Sequence, residues 1–258
     1  MESPVRVAAA ADLHCRVDSA RRLRRLLEPT DDLADVLVLA GDLTDHGLPE
    51  EAEVLADDLA SIALPKVAVL GNHDHESGKA AEVIRILAHA GVHVLEGDTF
   101  VFDKRLGFAG VKGFGGGFDD SALQPWGEEL WKRLVYETVD EAMRLEMALG
   151  KLDGFGVHHK IALLHYAPIR GTVVGERAEI FPFLGSSRFA DAIDKQHVAA
   201  CFHGHAHQGS LEGRTAGGVP VYNVAMPLLK LRGVEARFRV VEVDAPRPSK
   251  QKAPAAPR

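Results

Sequence analysis

Five short apolar runs, each leading straight into a polar side chain able to bind a metal, constrain this chain more than any other feature. Residues 5–11 run into Asp12 and His14, and residues 36–40 into Gly41-Asp42. Residues 67–70 precede Gly71-Asn72-His73-Asp74, residues 161–164 precede His165, and residues 200–203 precede Gly204-His205-Ala206-His207. Continuous Val/Leu/Ile/Ala runs of this length suit strands buried on both faces. Helical patterns separate the first of them. Residues 19–27 follow Asp18, an N-cap candidate; residues 49–62 open with Pro49, Glu50 and Glu51; residues 77–90 stop at Gly91. Strand–helix alternation of this kind argues for an α/β layered domain.

The second half is richer in strand signals, at 92–95, 99–102, 106–109, 200–203, 219–223 and 236–243, interrupted by one long helical pattern at 127–152. Two β-sheets packed face to face with helices outside are therefore expected. One domain at 1–244 is expected to be followed by a disordered tail at 245–258. The tail carries Arg247, Lys250, Lys252 and Arg258 and no acid. With 30 basic and 37 acidic residues overall, the remainder has a charge of 26 − 37 = −11. A body that acidic is a poor general nucleic-acid surface, because such binding depends on Lys and Arg neutralising phosphates. No apolar run approaches the roughly 18 residues of a membrane span. Two cysteines, Cys15 and Cys201, cannot form a disulfide framework, so the cytoplasm is the expected compartment.

Sites in layered α/β folds form outside the carboxyl ends of strands, and five loops could deliver their polar groups there. Asp12 and His14 are two residues apart, as are His205 and His207, so each pair can point one way from an extended segment. Asp, His and Asn make a nitrogen and oxygen donor set without thiolate, suited to Mn, Fe or Zn. Seven such donors are too many for one small ion and about right for two that share a carboxylate. A glycine before each of Asp42, Asn72 and His205 is expected to let the backbone turn sharply.

The set Asp12-Leu13-His14, Gly41-Asp42, Gly71-Asn72-His73-Asp74, His165 and Gly204-His205-Ala206-His207 resembles the calcineurin-like metallophosphoesterases, with five motifs in the family's order. The resemblance implies a four-layer αββα sandwich of two mixed sheets and a site for two divalent or transition metal ions. Asp12, His14, Asp42 and His207 would hold the first ion. Asp42, Asn72, His165 and His205 would hold the second. His73 matches the family's catalytic histidine, and Asp74 would orient it. The implied reaction is attack of a metal-bound hydroxide on the phosphorus of a small-molecule phosphoester. Residues 41–51 are similar to the cyclic-nucleotide phosphodiesterase branch, which favours a diester. A phosphomonoesterase or pyrophosphatase, and an interaction scaffold without turnover, stay open as alternatives.

Further candidates lie near these motifs. His46, His75, Arg170 and Arg177 are possible substrate contacts, each with an ordinary surface role as the plainer alternative. His203 suits a buried strand histidine. The glycine-rich stretch 112–118 lacks the Gly-Lys-Ser/Thr ending of a phosphate loop. It is expected to be a flexible edge of the pocket, with Trp126 and Trp131 available for a lid. Ser186 or Ser187 is an N-cap candidate for a helix over 188–195.

Overall fold

The computed structural model describes residues 4–243, and the basic tail at 245–258 lies outside them. In chain order the strands are β1 (Val5–Ala10), β2 (Val36–Ala40), β3 (Lys66–Val69), β4 (Val92–Val94), β5 (Thr99–Phe102), β6 (Leu106–Val111), β7 (His159–Leu164), β8 (Ala200–His203), β9 (Glu212–Arg214), β10 (Pro220–Asn223) and β11 (Arg239–Val243). The α-helices are α1 (Arg22–Leu27), α2 (Thr30–Leu33), α3 (Pro49–Leu59), α4 (Ala80–His89), α5 (Glu129–Lys151), α6 (Phe181–Leu184), α7 (Arg188–Lys195) and α8 (Met226–Leu231).

The strands form two mixed sheets. The first has the order β11-β1-β2-β3-β4 and the second β5-β6-β7-β8-β10-β9. Within the first, β1 to β4 are parallel and β11 is antiparallel to β1. In the second, β6, β7, β8 and β10 are parallel, with antiparallel strands at both edges.

Alternation along each strand divides the core into layers. Val7, Ala9, Val36, Val38, Val67 and Val69 share one cluster with Phe108, Ile161, Leu163 and Phe202, which packs sheet on sheet. The intervening Ala8, Ala10, Leu37, Leu39 and Ala68 pack on Leu23, Leu55, Leu59, Val83 and Leu87 of α1, α3 and α4. On the far side Ala109, Val111, Ala162, Leu164 and Cys201 pack on Leu145 and Leu149 of α5 and on Phe189 and Ile193 of α7. Burial on both faces is why these strands read as unbroken apolar runs. The result is the expected αββα sandwich.

Differences from the expected elements have local causes. The expected helix at 19–27 starts only at Arg22, because Arg21 has φ +64° and the preceding Val17–Ser19 is a 3-10 turn. Its N-terminal N–H groups find an acceptor far along the chain. Asp58 of α3 takes hydrogen bonds from Arg21 N (2.8 Å), Leu23 N (3.1 Å) and Arg24 N (3.2 Å), so Asp18 is not needed as a cap. The strand expected at 236–243 begins at Arg239, just past Arg237 with φ +57°. The short elements α2, α6, α8 and β9 carry too few residues to show a period. Ser187 occupies the N-cap position of α7, but its hydroxyl accepts from Asp119 N at 3.0 Å.

Candidate metal centre

The candidate ligands come from the carboxyl ends of both sheets. Asp12, His14, Asp42 and Asn72 follow β1, β2 and β3, whereas His165, His205 and His207 follow β7 and β8. Backbone bonds beyond the strand ends hold the loops together. Asp12 N donates to Gly41 O (2.9 Å), His14 N to Asp42 O (3.0 Å) and Gly204 N to His165 O (3.1 Å). Three groups of donors converge: Asp12 with His14 and His207, Asp42 with His165 and His205, and, sharing His14, Asp45 with His73; within each, one ligand atom per residue lies within 4.8 Å of the others. Asp42 faces the first two groups: Oδ1 is 3.4 Å from His165 Nε2 and Oδ2 is 3.9 Å from His14 Nε2.

Packing at the strand ends is tight. A Cβ on Gly71 would sit 2.1 Å from Asp42 Oδ1, and one on Gly204 would sit 2.3 Å from Asp12 Oδ2. Of the three glycines expected to turn the chain, Gly41 has a positive φ (85°); Gly71 and Gly204 do not, and space for the neighbouring carboxylate, rather than a sharp turn, demands them. The left-handed conformation falls on the candidate ligands themselves, at Asp12 (φ 57°), His14 (43°), Asp42 (48°) and His205 (68°). Such strain costs on the order of 1–3 kcal/mol per residue and collects at functional sites.

Charges are paired within the site. His165 is fully buried; Nδ1–H donates to Ala40 O (2.9 Å) and Nε2–H to Asn72 Oδ1 (3.0 Å). Burial alone would depress its pKa, but the charge of Asp42 and its hydrogen bond raise it to about 9. Asp42 is correspondingly held well below the usual carboxylate range, His165 and the His73 N–H outweighing its burial. His207 Nε2 donates to Asp12 Oδ1 at 2.8 Å, and that bond keeps Asp12 low against its burial. Burial, then the nearby His165 charge, pushes His205 down to about 3. His205 is therefore neutral and ready to ligate. The donor set and one more feature fit a divalent ion: His14 Nδ1 is buried and has no hydrogen-bond partner, although Asp45 Oδ1 is 3.1 Å away.

His73 borders the same centre, its ring 4.6 Å from that of His14 and at right angles to it. Its orientation is not set by Asp74, as the motif implied. His73 Nδ1–H donates to Asp45 O at 2.7 Å. Asp74 is fully buried and takes hydrogen bonds from Gly71 N (2.7 Å), Leu43 N (3.2 Å), Thr44 N (2.8 Å) and Thr44 Oγ1 (2.6 Å). It clamps the loop after β2 to the loop after β3. Asp45 is the residue that sequence reasoning missed. Its carbonyl holds His73, and its carboxylate meets Arg16 Nε and His14 Nδ1. Its place three residues after Asp42 was the available signal.

The remaining candidates scatter around the rim. His46 is bound to Glu51, Nδ1 to Oε1 at 2.9 Å, which raises its pKa. His75 is exposed, and desolvation by its surroundings, then the Lys112 charge, lowers its pKa. Arg170 lies over the Phe181 ring at 5.8 Å, and Arg177 is exposed just before a 3-10 turn at Ala178–Ile180. Buried His203 binds Thr172 Oγ1 and Gly204 O, and burial depresses it to about 4. The glycine-rich stretch is not a loose edge. Gly115, Gly116 and Gly117 are buried, Gly117 N donates to Gly185 O, and a Cβ on Gly115 would meet Pro182 O at 2.6 Å. Its glycines admit a neighbouring backbone. Trp131 Nε1 donates to Gln124 O, while Trp126 stands exposed.

A two-sheet sandwich with histidines and carboxylates gathered at the strand ends defines a phosphoesterase fold with a candidate metal centre. The family model for calcineurin-like phosphoesterases matches residues 5–209. The chain belongs to that family, whose members are generally hydrolases of phosphoesters and bind divalent metals. Among solved structures, the chain is similar to phosphopantetheinyl hydrolase from Mycobacterium tuberculosis, with 16% identity, TM-score 0.64, and coverage of 98% of this chain and 99% of that one. The protein TT1561 of Thermus thermophilus is 18% identical with TM-score 0.55, covering 94% and 100%. A putative 5'-nucleotidase from Staphylococcus aureus is 13% identical with TM-score 0.52, covering 86% of this chain and 48% of that one. At these identities the likeness concerns the fold. No curated protein sequence matches the chain significantly. No helix among the described residues is long and apolar enough to cross a membrane.

Proposed function

We propose that this protein hydrolyses small phosphoesters, diesters in particular, with two divalent ions sharing Asp42. Asp42 carries the reading, because its two carboxylate oxygens face the first two donor groups. Asp12, His14 and His207 would hold one ion with Asp42; Asn72, His165 and His205 would hold the other. Such a pair, when bound, supplies Lewis acidity at the phosphoryl oxygens and makes water a better nucleophile at neutral pH.

The protein's own groups supply position and protons. With Nδ1–H committed to Asp45 O, His73 has Nε2 left for the substrate; when that nitrogen also carries a proton, as imidazolium, it can donate to a phosphoryl oxygen or protonate the leaving oxygen. Asp45 fixes the direction of the ring through its carbonyl. Asp74 fixes the spacing between Asp42 and Asn72, and therefore between the two donor groups.

Elemental analysis of manganese-loaded protein, with turnover of bis(p-nitrophenyl) phosphate and p-nitrophenyl phosphate, tests the reading. Two ions per chain and faster diester cleavage are expected. Asp42→Ala should lose more activity than any other ligand change, since it serves both ions. One ion at saturation would overturn the shared-ligand assignment. Bound metal with neither ester cleaved would leave a scaffold instead of an enzyme.

A further inference from the structure

Next to the metal centre lies a recess of about 820 Å³, a volume that suits a small organic molecule. Asp12 and His14 are among its lining residues, so it adjoins the first donor group. Leu13, Leu26, Met226 and Pro227 supply its apolar lining, and Arg22, Arg25, Lys230 and Arg237 line it as well. These cations come from two distant parts of the chain, α1 and the segment from α8 to β11. None of the four has an ion-pair partner among the described residues. Arg25 Nε donates to Arg21 O and one Arg237 nitrogen to Val234 O, both main-chain carbonyls. Of the three acids that line the recess, Asp12 binds His207 and Asp45 binds Arg16, which leaves Asp18 as the counter-charge to the four. In a chain of net charge −7, four cations around one hollow against one unengaged acid are a local excess of positive charge that favours an anion.

We propose that this recess binds a second phosphate on the substrate, so that the ester cleaved at the metal centre belongs to a small molecule phosphorylated again at its far end. This rests on the phosphoesterase reading above. The scissile phosphate lies at Asp12 and His14, the organic part packs on Leu13, Leu26, Met226 and Pro227, and the distal phosphate meets Arg22, Arg25, Lys230 and Arg237. The guanidinium groups offer paired donors suited to phosphate oxygens. None of His46, His75, Arg170 or Arg177 lines this recess. The distal group is thus read by Arg22 and Arg25 of the basic run at 21–25 together with Lys230 and Arg237, more than 200 residues further along the chain.

Two diesters that differ by one phosphate test the proposal: thymidine 5'-(p-nitrophenyl phosphate) and the same compound carrying a 3'-phosphate. The kcat/KM of the phosphorylated ester should exceed that of the plain ester by at least tenfold. That ratio should fall at least tenfold in Arg22→Glu/Lys230→Glu, two exposed positions. Thymidine 3',5'-bisphosphate should bind the metal-free protein in calorimetry, at least tenfold more weakly to the double variant and to Arg25→Glu. A wild-type ratio near one, or a ratio unchanged in the variants, overturns the subsite while turnover of the plain ester upholds the phosphoesterase reading. Cleavage of neither ester, with bisphosphate binding still dependent on Arg22 and Lys230, overturns the phosphoesterase reading and leaves the anion site standing.

Discussion

Replacing Asp74 by Ala separates two roles that the motif alone cannot tell apart. If Asp74 served only to orient His73, its removal would lower kcat and leave the fold and metal content intact. The structure assigns it four hydrogen bonds instead, three from backbone N–H groups on the loops that carry Asp42 and Asn72. A hydrogen bond to a charged group contributes about 1.5–3 kcal/mol, so three would sum to about 4.5–9 kcal/mol if they were independent. They are not independent, and relaxation or entering water recovers part of the loss. Burial also pushes the Asp74 carboxyl up, with the Gly71 and Thr44 bonds pulling the other way, so desolvation offsets some of the gain. About 3–4 kcal/mol is the expected net loss. For a chain of this size each kcal/mol lowers Tm by about 2–4 °C, which gives a drop of about 6–16 °C. Thermal unfolding of metal-free protein measures this without linkage to bound ions, and equilibrium dialysis against manganese measures the second effect, a loss of at least one ion at saturation. A variant melting within about 3 °C of wild type, with full metal content and only kcat reduced, would refute the clamp.

Gly71→Ala forces Asp42 aside and should lower metal content with little change in helical signal by circular dichroism; full occupancy would contradict the close approach of Gly71 to Asp42. His165 gains its proton from the fold, with a pKa raised to about 9 in the metal-free protein. Its stabilising contribution is complete below its ordinary value near ~6.5 and disappears as pH rises through about 9. Metal-free protein should therefore lose Tm across that interval, and metal binding at pH 7.5 should release a proton, seen as a binding enthalpy that changes with buffer ionisation enthalpy. No buffer dependence would mean that His165 is already neutral. Asp58→Ala removes the acceptor for three N–H groups at the start of α1 and should cost about 2 kcal/mol in urea unfolding, with Asp58→Asn recovering part of it. Equal midpoints for wild type and Asp58→Ala would show that water caps the helix as well.

The sandwich was legible because its strands are buried on both faces, which leaves unbroken apolar runs such as 36–40 that no surface strand carries. The ligand residues were legible for a related reason: each sits one to four positions past such a run. What the sequence hid was contact across distance. Asp58 caps a helix 37 residues earlier, Asp45 holds His73 through a main-chain carbonyl, and Arg22 and Lys230 line one hollow. Main-chain acceptors have no residue type, and side chains far apart in the chain leave no period. The glycines at 115–117 were misread for the opposite reason. Their composition suggests slack, whereas each is closely packed: Gly115 against the backbone of Pro182 and Phe183, Gly116 against the Thr138 and Ser186 side chains, and Gly117 against the backbone of Ser121.

The candidate ligands are divided between the two sheets, three strands of one and two of the other. An occupied centre would act as a rivet through the sandwich, adding to the few hydrogen bonds that already cross it, such as Ala11 N to Val224 O and His165 Nδ1 to Ala40 O. Phe108 and Phe202, fully buried between the layers, then set the registry of the ligand halves. A cavity cut there, costing about 3–5 kcal/mol in stability, would also loosen the grip on metal at a distance.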